Sequence, residues 1–267
     1  MVEAELLFTE LFNCDRLSLY LEKRPAITKD RLTLISSVLK RRIRSEPIQY
    51  ILGKTEFMGL KFKVAPCVFI PRPETEVLVE TTIDLVHSSE FIVQSILDLG
   101  TGSGCIAVSL ANFLDDVNIT ATDISQDVLD IANENARINS VTDKIRFIKS
   151  NLFESLAICD MRYAICVCNP PYIPTAEIDN LQPEVQYEPR LALDGGKDGL
   201  EFYRKIISLS PCYLKKDGLL IMEMGFNQAG AIRNIFKISG KFKILEVVKD
   251  YNNIDRVVVA RKVSRNG

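Results

Sequence analysis

From residue 95 onward the chain alternates short apolar runs with amphipathic stretches. That alternation constrains the fold more than any other feature. The apolar runs lie near 95–99, 118–122, 144–149, 163–168, 218–223, 242–248 and 255–261. Helical spacing appears near 104–114, 125–138, 200–210 and 227–238. Short apolar runs bounded by turn residues read as buried strands. Strands that alternate with helices imply crossover connections, and crossovers build a mainly parallel sheet with helices on both faces. The last two strands are separated only by 249–254, too little chain for a crossover, so they are expected to be antiparallel. The expected class is therefore α/β.

The first part of the chain reads differently. Leu6, Leu7, Leu11 and Phe12 have helical spacing. Thr28 is placed to cap a second helix, in which Leu32, Ile35, Val38, Leu39 and Ile43 form one apolar stripe ended by Pro47. Residues 1–46 are thus expected to be a small helical domain. Lys40, Arg41, Arg42 and Arg44 crowd its last turns, either as a solvated helix end favoured by the dipole or as a contact for a nucleic acid or acidic partner. Phe57, then Leu60, Phe62 and Val64, flank Met58-Gly59, which predicts a hairpin within a linker over 47–73. In Ile70-Pro71-Arg72-Pro73-Glu74-Thr75-Glu76 the prolines hold the chain extended, and Pro73 opens a helix through Val77, Leu78, Leu85 and Val86. The α/β domain is expected over 74–267. Residues 173–199 carry Pro174, Pro183, Pro189, Gly195, Gly196 and Gly199 without a periodic pattern, and a loop that long inside a compact domain is usually functional.

Composition narrows the chemistry. A net charge of −2 argues against a general nucleic-acid coat. No apolar run reaches the length of about 18 residues that a bilayer span needs, so no membrane association is expected. The acidic start Met1-Val2-Glu3-Ala4-Glu5 lacks the basic n-region of a leader, and a cytoplasmic location is expected. The seven cysteines are odd in number and contain no C-x-x-C; Cys166 and Cys168 share one face of a strand, which suits reduced core thiols. His87 is the only histidine, so histidine-based zinc sites and Ser-His-Asp triads fade, and no metal is expected.

Four strand ends carry the candidate site. Asp98-Leu99-Gly100-Thr101-Gly102-Ser103-Gly104 is a strand, a glycine turn and a helix start, where backbone can approach a ligand and free N–H groups await one. Its spacing is G-x-G-x-G, neither the dinucleotide fingerprint nor a P-loop. Asp123 ends the next strand, where a carboxylate can accept from both hydroxyls of a ribose or can cap a helix. Asn151 and Phe153 follow the third strand, placed for an adenine edge and ring, or for a loop and a core. Cys168-Asn169-Pro170-Pro171-Tyr172 ends the fourth on a stiff turn. There the Asn169 oxygen and the Pro170 carbonyl can each accept one N–H of a planar amino group, orienting it and supporting the positive charge that develops during methyl transfer. Tyr172 can stack on the planar group.

These residues resemble class I S-adenosylmethionine-dependent methyltransferases that modify planar amino groups. A closer resemblance covers nearly the whole chain. Pro47-Ile48-Gln49-Tyr50-Ile51-Leu52-Gly53, Phe69 to Glu76, Asp98 to Gly104, Asn169 to Tyr172, Glu188-Pro189 with Leu193 to Leu200, and Lys249-Asp250-Tyr251 with Asp255-Arg256-Val257 are similar to the peptide chain release factor glutamine methyltransferase family. Phe153 stands where that family often has tryptophan, Asn151 where aspartate is common, and Cys168 where serine is common. The resemblance implies a seven-stranded Rossmann-like sheet behind a helical domain that docks the substrate. It implies methyl transfer from S-adenosylmethionine, leaving S-adenosylhomocysteine, to the glutamine of a Gly-Gly-Gln loop in peptide chain release factors 1 and 2. Gly100, Thr101, Gly102, Ser103, Gly104, Asp123, Asn151, Phe153 and Asn169 would then hold the donor. Asn169 and Pro170 would be catalytic, and Asn169, Pro170, Pro171 and Tyr172 would grip glutamine. The alternatives are an adenine methyltransferase acting on DNA or RNA, which the charge and the lack of a basic recognition domain disfavour, and a non-catalytic nucleoside-binding protein.

Overall fold

The structure is a computed structural model that describes residues 3–12, 14–20, 28–88, 93–159 and 162–263. Helices α1 (Glu3–Phe12), α2 (Lys29–Ile43) and α3 (Ile48–Leu52) come first. Thr28 caps α2 by accepting the Arg31 N–H at 3.3 Å. The stripe expected on α2 is not buried: Val38 is enclosed, whereas Leu32, Leu39 and Ile43 are exposed. The physical reason is partner area. Helices α1 and α3 pack on α2, and two short helices cover only part of an apolar face. The basic end of α2 is partly neutralised within the chain. Arg41 donates to Glu46, and Arg42 pairs with Glu3 and, at 3.0 Å, with Glu184.

The hairpin forms as expected, with β1 (Lys54–Phe57) antiparallel to β2 (Leu60–Lys63). Met58 and Gly59 have φ of 52° and 72°, the two-residue turn whose twist matches that of the strands. Phe57 and Phe62 meet edge to face at 6.1 Å and enter the main core.

Next come α4 (Pro73–Ser88), β3 (Ser95–Leu99), α5 (Cys105–Phe113), β4 (Asn118–Asp123), α6 (Gln126–Ile138), β5 (Ile145–Lys149), β6 (Tyr163–Cys168), α7 (Arg190–Leu193), α8 (Glu201–Leu209), β7 (Leu214–Glu223), α9 (Ala229–Ser239), β8 (Phe242–Lys249) and β9 (Asp255–Lys262). They form a seven-stranded sheet in the order β5-β4-β3-β6-β7-β9-β8. Strands β3 to β7 are mutually parallel, while β9 runs antiparallel to both β7 and β8. This is the class I methyltransferase-like architecture. Strand β7 starts earlier than its apolar run, because the Lys215-Lys216-Asp217 excursion rejoins the ladder at Leu219. One core layer takes Ile165 and Val167 from β6; the other takes Cys166 and Cys168, so the two thiols share a buried face. The amide of Asn135 on α6 binds the Lys63 N–H at 2.6 Å and the Lys63 carbonyl at 2.9 Å, clamping the hairpin edge to the sheet domain. Among the described residues no helix is long and apolar enough to cross a membrane.

Neighbours β3 and β6 diverge in connection: the chain leaves β3 toward β4 and β5, then returns to β6 on its other side. Ligands of open α/β sheets bind outside the carboxyl ends of strands at such a switch point. The helix after β3 crosses α6 closely at Gly104, where an added Cβ would lie 3.1 Å from the Ala132 Cβ and φ is +81°. Gly104→Ala is expected to cost about 1–2 kcal/mol from the backbone alone. Urea unfolding checks this, and an unchanged midpoint would contradict it.

Candidate active site

The glycine turn leaves β3 and is tied at once to β4. The N–H groups of Gly100 and Thr101 both donate to the Thr122 carbonyl, at 2.9 and 2.8 Å. The Thr101 hydroxyl donates to Asp98 Oδ2 at 2.6 Å. Nothing lies within 4 Å of where a Cβ would stand on Gly100 or Gly102, so the outer side of the turn is open to a ligand. Asp98 is fully enclosed beneath the turn, where the Ala107 N–H in the first turn of α5 also favours its ionised form.

Burial pushes the Asp98 carboxyl up to about 7, against the opposing pull of the Thr101 hydroxyl. The sign follows from linkage. A carboxyl that binds its proton more tightly folded than unfolded stabilises the fold at low pH. That contribution is lost as pH rises from its ordinary value of 3.8 through about 7. Asp98→Asn should therefore gain stability relative to the parent across this window and run parallel to it above. Urea titrations of both proteins at several pH values test this, and a constant difference would refute it.

Asp123 ends β4 half-buried. Its Oδ2 accepts the Gly102 N–H and its Oδ1 the Ser125 N–H, each at 3.1 Å. Burial raises its proton affinity, while those backbone groups and the Ile124 N–H lower it. The carboxylate thus braces the glycine turn and opens α6 together. It retains acceptor sites, since a carboxylate has about four lone-pair positions. Asn151 is exposed beyond β5, its amide donating to Glu154 at 2.9 Å. Phe153 is 2% exposed and stacks on Tyr213 at 4.7 Å, so the ring expected beside an adenine lies in the core. The sequence pattern, an aromatic two residues after a polar turn residue, does not separate those two placements.

Asn169 leaves β6 half-buried, with Pro170 enclosed behind it. Asn169 Nδ2 donates to the Thr75 hydroxyl at 3.1 Å, and Thr75 donates to Glu223 Oε2 at 2.7 Å. Thr75 lies in the first turn of α4 and Glu223 at the end of β7. The Tyr172 carbonyl accepts from Gln228 Nε2 at 2.9 Å, and Gln228 Oε1 accepts the Gly225 N–H at 3.1 Å. Gln228 therefore joins the turn after β6 to the turn after β7. Gly199 closes against the same point, where a Cβ would stand 2.3 Å from the Tyr172 carbonyl oxygen. Arg256 on β9 pairs with Asp250 at 3.0 Å and donates to the Met224 carbonyl at 3.2 Å.

The segment 173–199 is not loose chain. Short helical turns run over Thr175–Asn180 and Val185–Tyr187. Glu188, 5% exposed, accepts the Ile70 N–H at 3.0 Å and pairs with Arg72. The Tyr187 hydroxyl donates to the Arg44 carbonyl at 2.6 Å. A cleft of about 330 Å³ remains between α2 and this segment, lined by Arg42, Gln49, Arg72, Gln182, Glu184 and Glu188 among others.

The structure thus gathers Gly100 to Gly104, Asp123 and Asn169 to Tyr172 at one end of the sheet, keeps Asn151 exposed beyond β5, and buries Phe153 against Tyr213. Sequence reasoning missed Thr75, Glu223 and Gln228. Glu223 carried a signal, an acid at the end of an apolar strand, the same one that singled out Asp123. Thr75 lay inside the Phe69 to Glu76 stretch that carries the family resemblance but was read only as part of a helix start, and Gln228 carried no signal beyond its helix start. Among the described residues no group of three or more His, Cys, Asp or Glu is arranged to hold a metal ion.

Residues 1–53 match the family described as PrmC N-terminal domain, and residues 72–183 match that described as Methyltransferase small domain. A release factor glutamine methyltransferase of Thermodesulfovibrio yellowstonii is 41% identical over 261 residues, covering 97% of this chain and 92% of that one. Its counterpart in Geobacter sulfurreducens is also 41% identical, covering 97% of this chain and 89% of that one. A methyltransferase structure from Pyrococcus furiosus superposes with a TM-score of 0.56 at 16% identity, over 89% of this chain and 100% of that one, which bears on the fold alone.

Proposed function

This chain belongs to the release factor glutamine methyltransferase family, and from that premise we propose that it methylates the side-chain amide nitrogen of the glutamine in a Gly-Gly-Gln loop, on release factors 1 and 2. The observation that carries the reading is the Asn169-Pro170-Pro171-Tyr172 turn at the sheet's switch point, with the amide of Asn169 fixed from behind. Such a substrate is met in the cytoplasm.

The residues at hand suit S-adenosylmethionine. The open outer side of Gly100 and Gly102 leaves room for it. Asp123 has lone pairs left for two ribose hydroxyls, and Asn151 is exposed for an adenine edge. When bound, the donor supplies a methyl group on a sulfonium and leaves as S-adenosylhomocysteine.

The difficulty lies with the acceptor, since an amide nitrogen's lone pair is delocalised into its carbonyl. Asn169 Oδ1 and the Pro170 carbonyl each take one N–H of the glutamine. The nitrogen is thereby oriented, and positive charge on it is supported as it grows. Tyr172 packs on the planar amide. Its phenol is kept neutral, because burial and the Glu223 carboxylate beside it both raise its proton affinity. No base is needed before transfer; the proton leaves the nitrogen afterwards to water. The cleft between α2 and 182–188 is available for the residues flanking the loop.

Purified release factor incubated with the enzyme and S-adenosylmethionine should gain one methyl on the Gly-Gly-Gln peptide, read by tandem mass spectrometry. An unmodified peptide would sink the reading.

A further inference from the structure

An asparagine amide has nearly the same shape in its two orientations, yet one presents an acceptor and the other a donor. A reaction that needs an acceptor works with only one of them. The chain contains a device that selects it. An ionised carboxylate accepts hydrogen bonds and donates none, so Glu223 takes the single hydroxyl proton of Thr75 at 2.7 Å. Thr75 then has only lone pairs left, and it accepts from Asn169 Nδ2 at 3.1 Å. The NH₂ end of Asn169 is thereby committed to α4. Its Oδ1 accepts no hydrogen bond among the described residues and is left for a ligand.

The device is enclosed. Thr75 is 2% exposed and Glu223 1%, so water does not compete for the hydroxyl. Three separate elements supply its parts: the first turn of α4, the turn after β6 and the end of β7. The Tyr203 hydroxyl donates to the Glu223 backbone carbonyl at 3.0 Å and fixes that end of β7.

We infer that Thr75 and Glu223 are positioning residues for methyl transfer, which lock Asn169 with its carbonyl oxygen turned to the glutamine nitrogen. The inference rests on the reaction proposed above. It also gives the Pro71-Arg72-Pro73-Glu74-Thr75 segment a task beyond starting a helix, since the prolines set where Thr75 stands.

The direction of the relay depends on one proton. A protonated Glu223 can donate to Thr75, Thr75 can then donate to Asn169, and the amide is free to reverse. Burial pushes the Glu223 carboxyl up to about 7, countered by the Thr75 hydroxyl, by Arg256 on β9 and by the Asn169 amide, which also reaches the carboxylate directly through its NH₂ end, with Glu74 on α4 adding to the rise. Tyr172, Tyr203, Cys105 and Cys168 also face it, and burial holds all four neutral near pH 7. Asp250 balances the charge of Arg256.

The test compares Thr75→Val, Thr75→Ser and Glu223→Gln with the parent, measuring kcat and KM for the release factor and calorimetric affinity for S-adenosylmethionine. Thr75→Val keeps the volume and removes the hydroxyl; Glu223→Gln puts a donor where only an acceptor stood. Both should lose kcat by about 100-fold. Both affinities should stay within about twofold, the pattern of a lost transition-state interaction. Thr75→Ser should recover most of the turnover. In the parent, kcat should fall as pH drops through about 7, the range of the Glu223 carboxyl, and Glu223→Gln should lack that limb. An active parent beside an equally active Thr75→Val would overturn the positioning role alone. So would a Thr75→Val loss that serine does not rescue, or one that appears in cofactor affinity. A parent that methylates no release factor would overturn both this role and the reaction beneath it.

Discussion

Asn169→Ala is expected to lower kcat by about 100- to 1,000-fold, the loss seen when one preorganised group facing developing charge is removed. Alanine takes away the side-chain acceptor and leaves only the Pro170 carbonyl for the glutamine nitrogen. It also strips Thr75 of its donor, which at 3.1 Å is part of what holds α4 against the turn after β6. Affinity for S-adenosylmethionine should stay largely intact, because the glycine turn is fixed by β4 through the Thr122 carbonyl and Asp123, not by Asn169. Single-turnover methylation of release factor with saturating donor separates the chemical step from binding. Turnover equal to the parent's would remove Asn169 from its assigned role.

Arg256→Met is the second large effect, and it falls on stability. Arg256 is 9% exposed and Asp250 7%, with two guanidinium nitrogens on one Asp250 oxygen at 3.1 and 3.0 Å. Glu223, 1% exposed, lies within its field. Methionine fills much of the volume but leaves Asp250 without its cation, and breaking a buried pair from one side costs about 3–5 kcal/mol. Backbone N–H groups of Asn252 and Ile254, at 2.9 and 3.1 Å, keep Asp250 partly supported, which places the expectation toward the low end. Urea unfolding reads the loss, and one below about 1 kcal/mol would mark the pair as no more than a surface bridge. Pairing the change with Asp250→Asn should recover part of the loss, since no unpaired charge then remains. Because Arg256 also lowers the Glu223 proton affinity, the acid limb of kcat should move to higher pH in Arg256→Met.

The two expectations draw on differently legible parts of the chain. The central strands β3 and β6 were readable because inner parallel strands are covered on both faces and stay apolar, whereas β5 at the sheet edge carries the exposed Arg146 and Lys149. The hairpin was readable because Phe57 and Leu60, Phe62 and Val64 flank a two-residue turn in which Gly59 takes a positive φ at no steric cost. The apolar stripe of α2 misled, since periodicity marks a face that could be buried without saying whether enough partner surface exists to cover it. Phe153 shows the same limit at the site: its spacing from Asn151 fits a ligand ring and a core ring equally well, and stacking on Tyr213 decided between them. The apolar run near 218–223 understates β7, which begins at Leu214 and carries the Lys215-Lys216-Asp217 excursion before the ladder with β6 resumes.

By itself the sequence determined the alternation that makes a parallel sheet, the glycine turn, the carboxylate after β4 and the stiff Asn-Pro-Pro-Tyr turn. Each is a local property: a period, a backbone angle or a residue type at a strand end. Tertiary structure alone decided that Thr75, Asn169 and Glu223, which are 94 and 148 positions from one another along the pairs they form, meet in one enclosed chain of hydrogen bonds. No local pattern encodes that meeting, because it depends on β6 and β7 lying side by side and on α4 crossing their ends. Strand order therefore does more than carry Asn169 to the switch point. It supplies the neighbours that fix which end of the Asn169 amide faces outward.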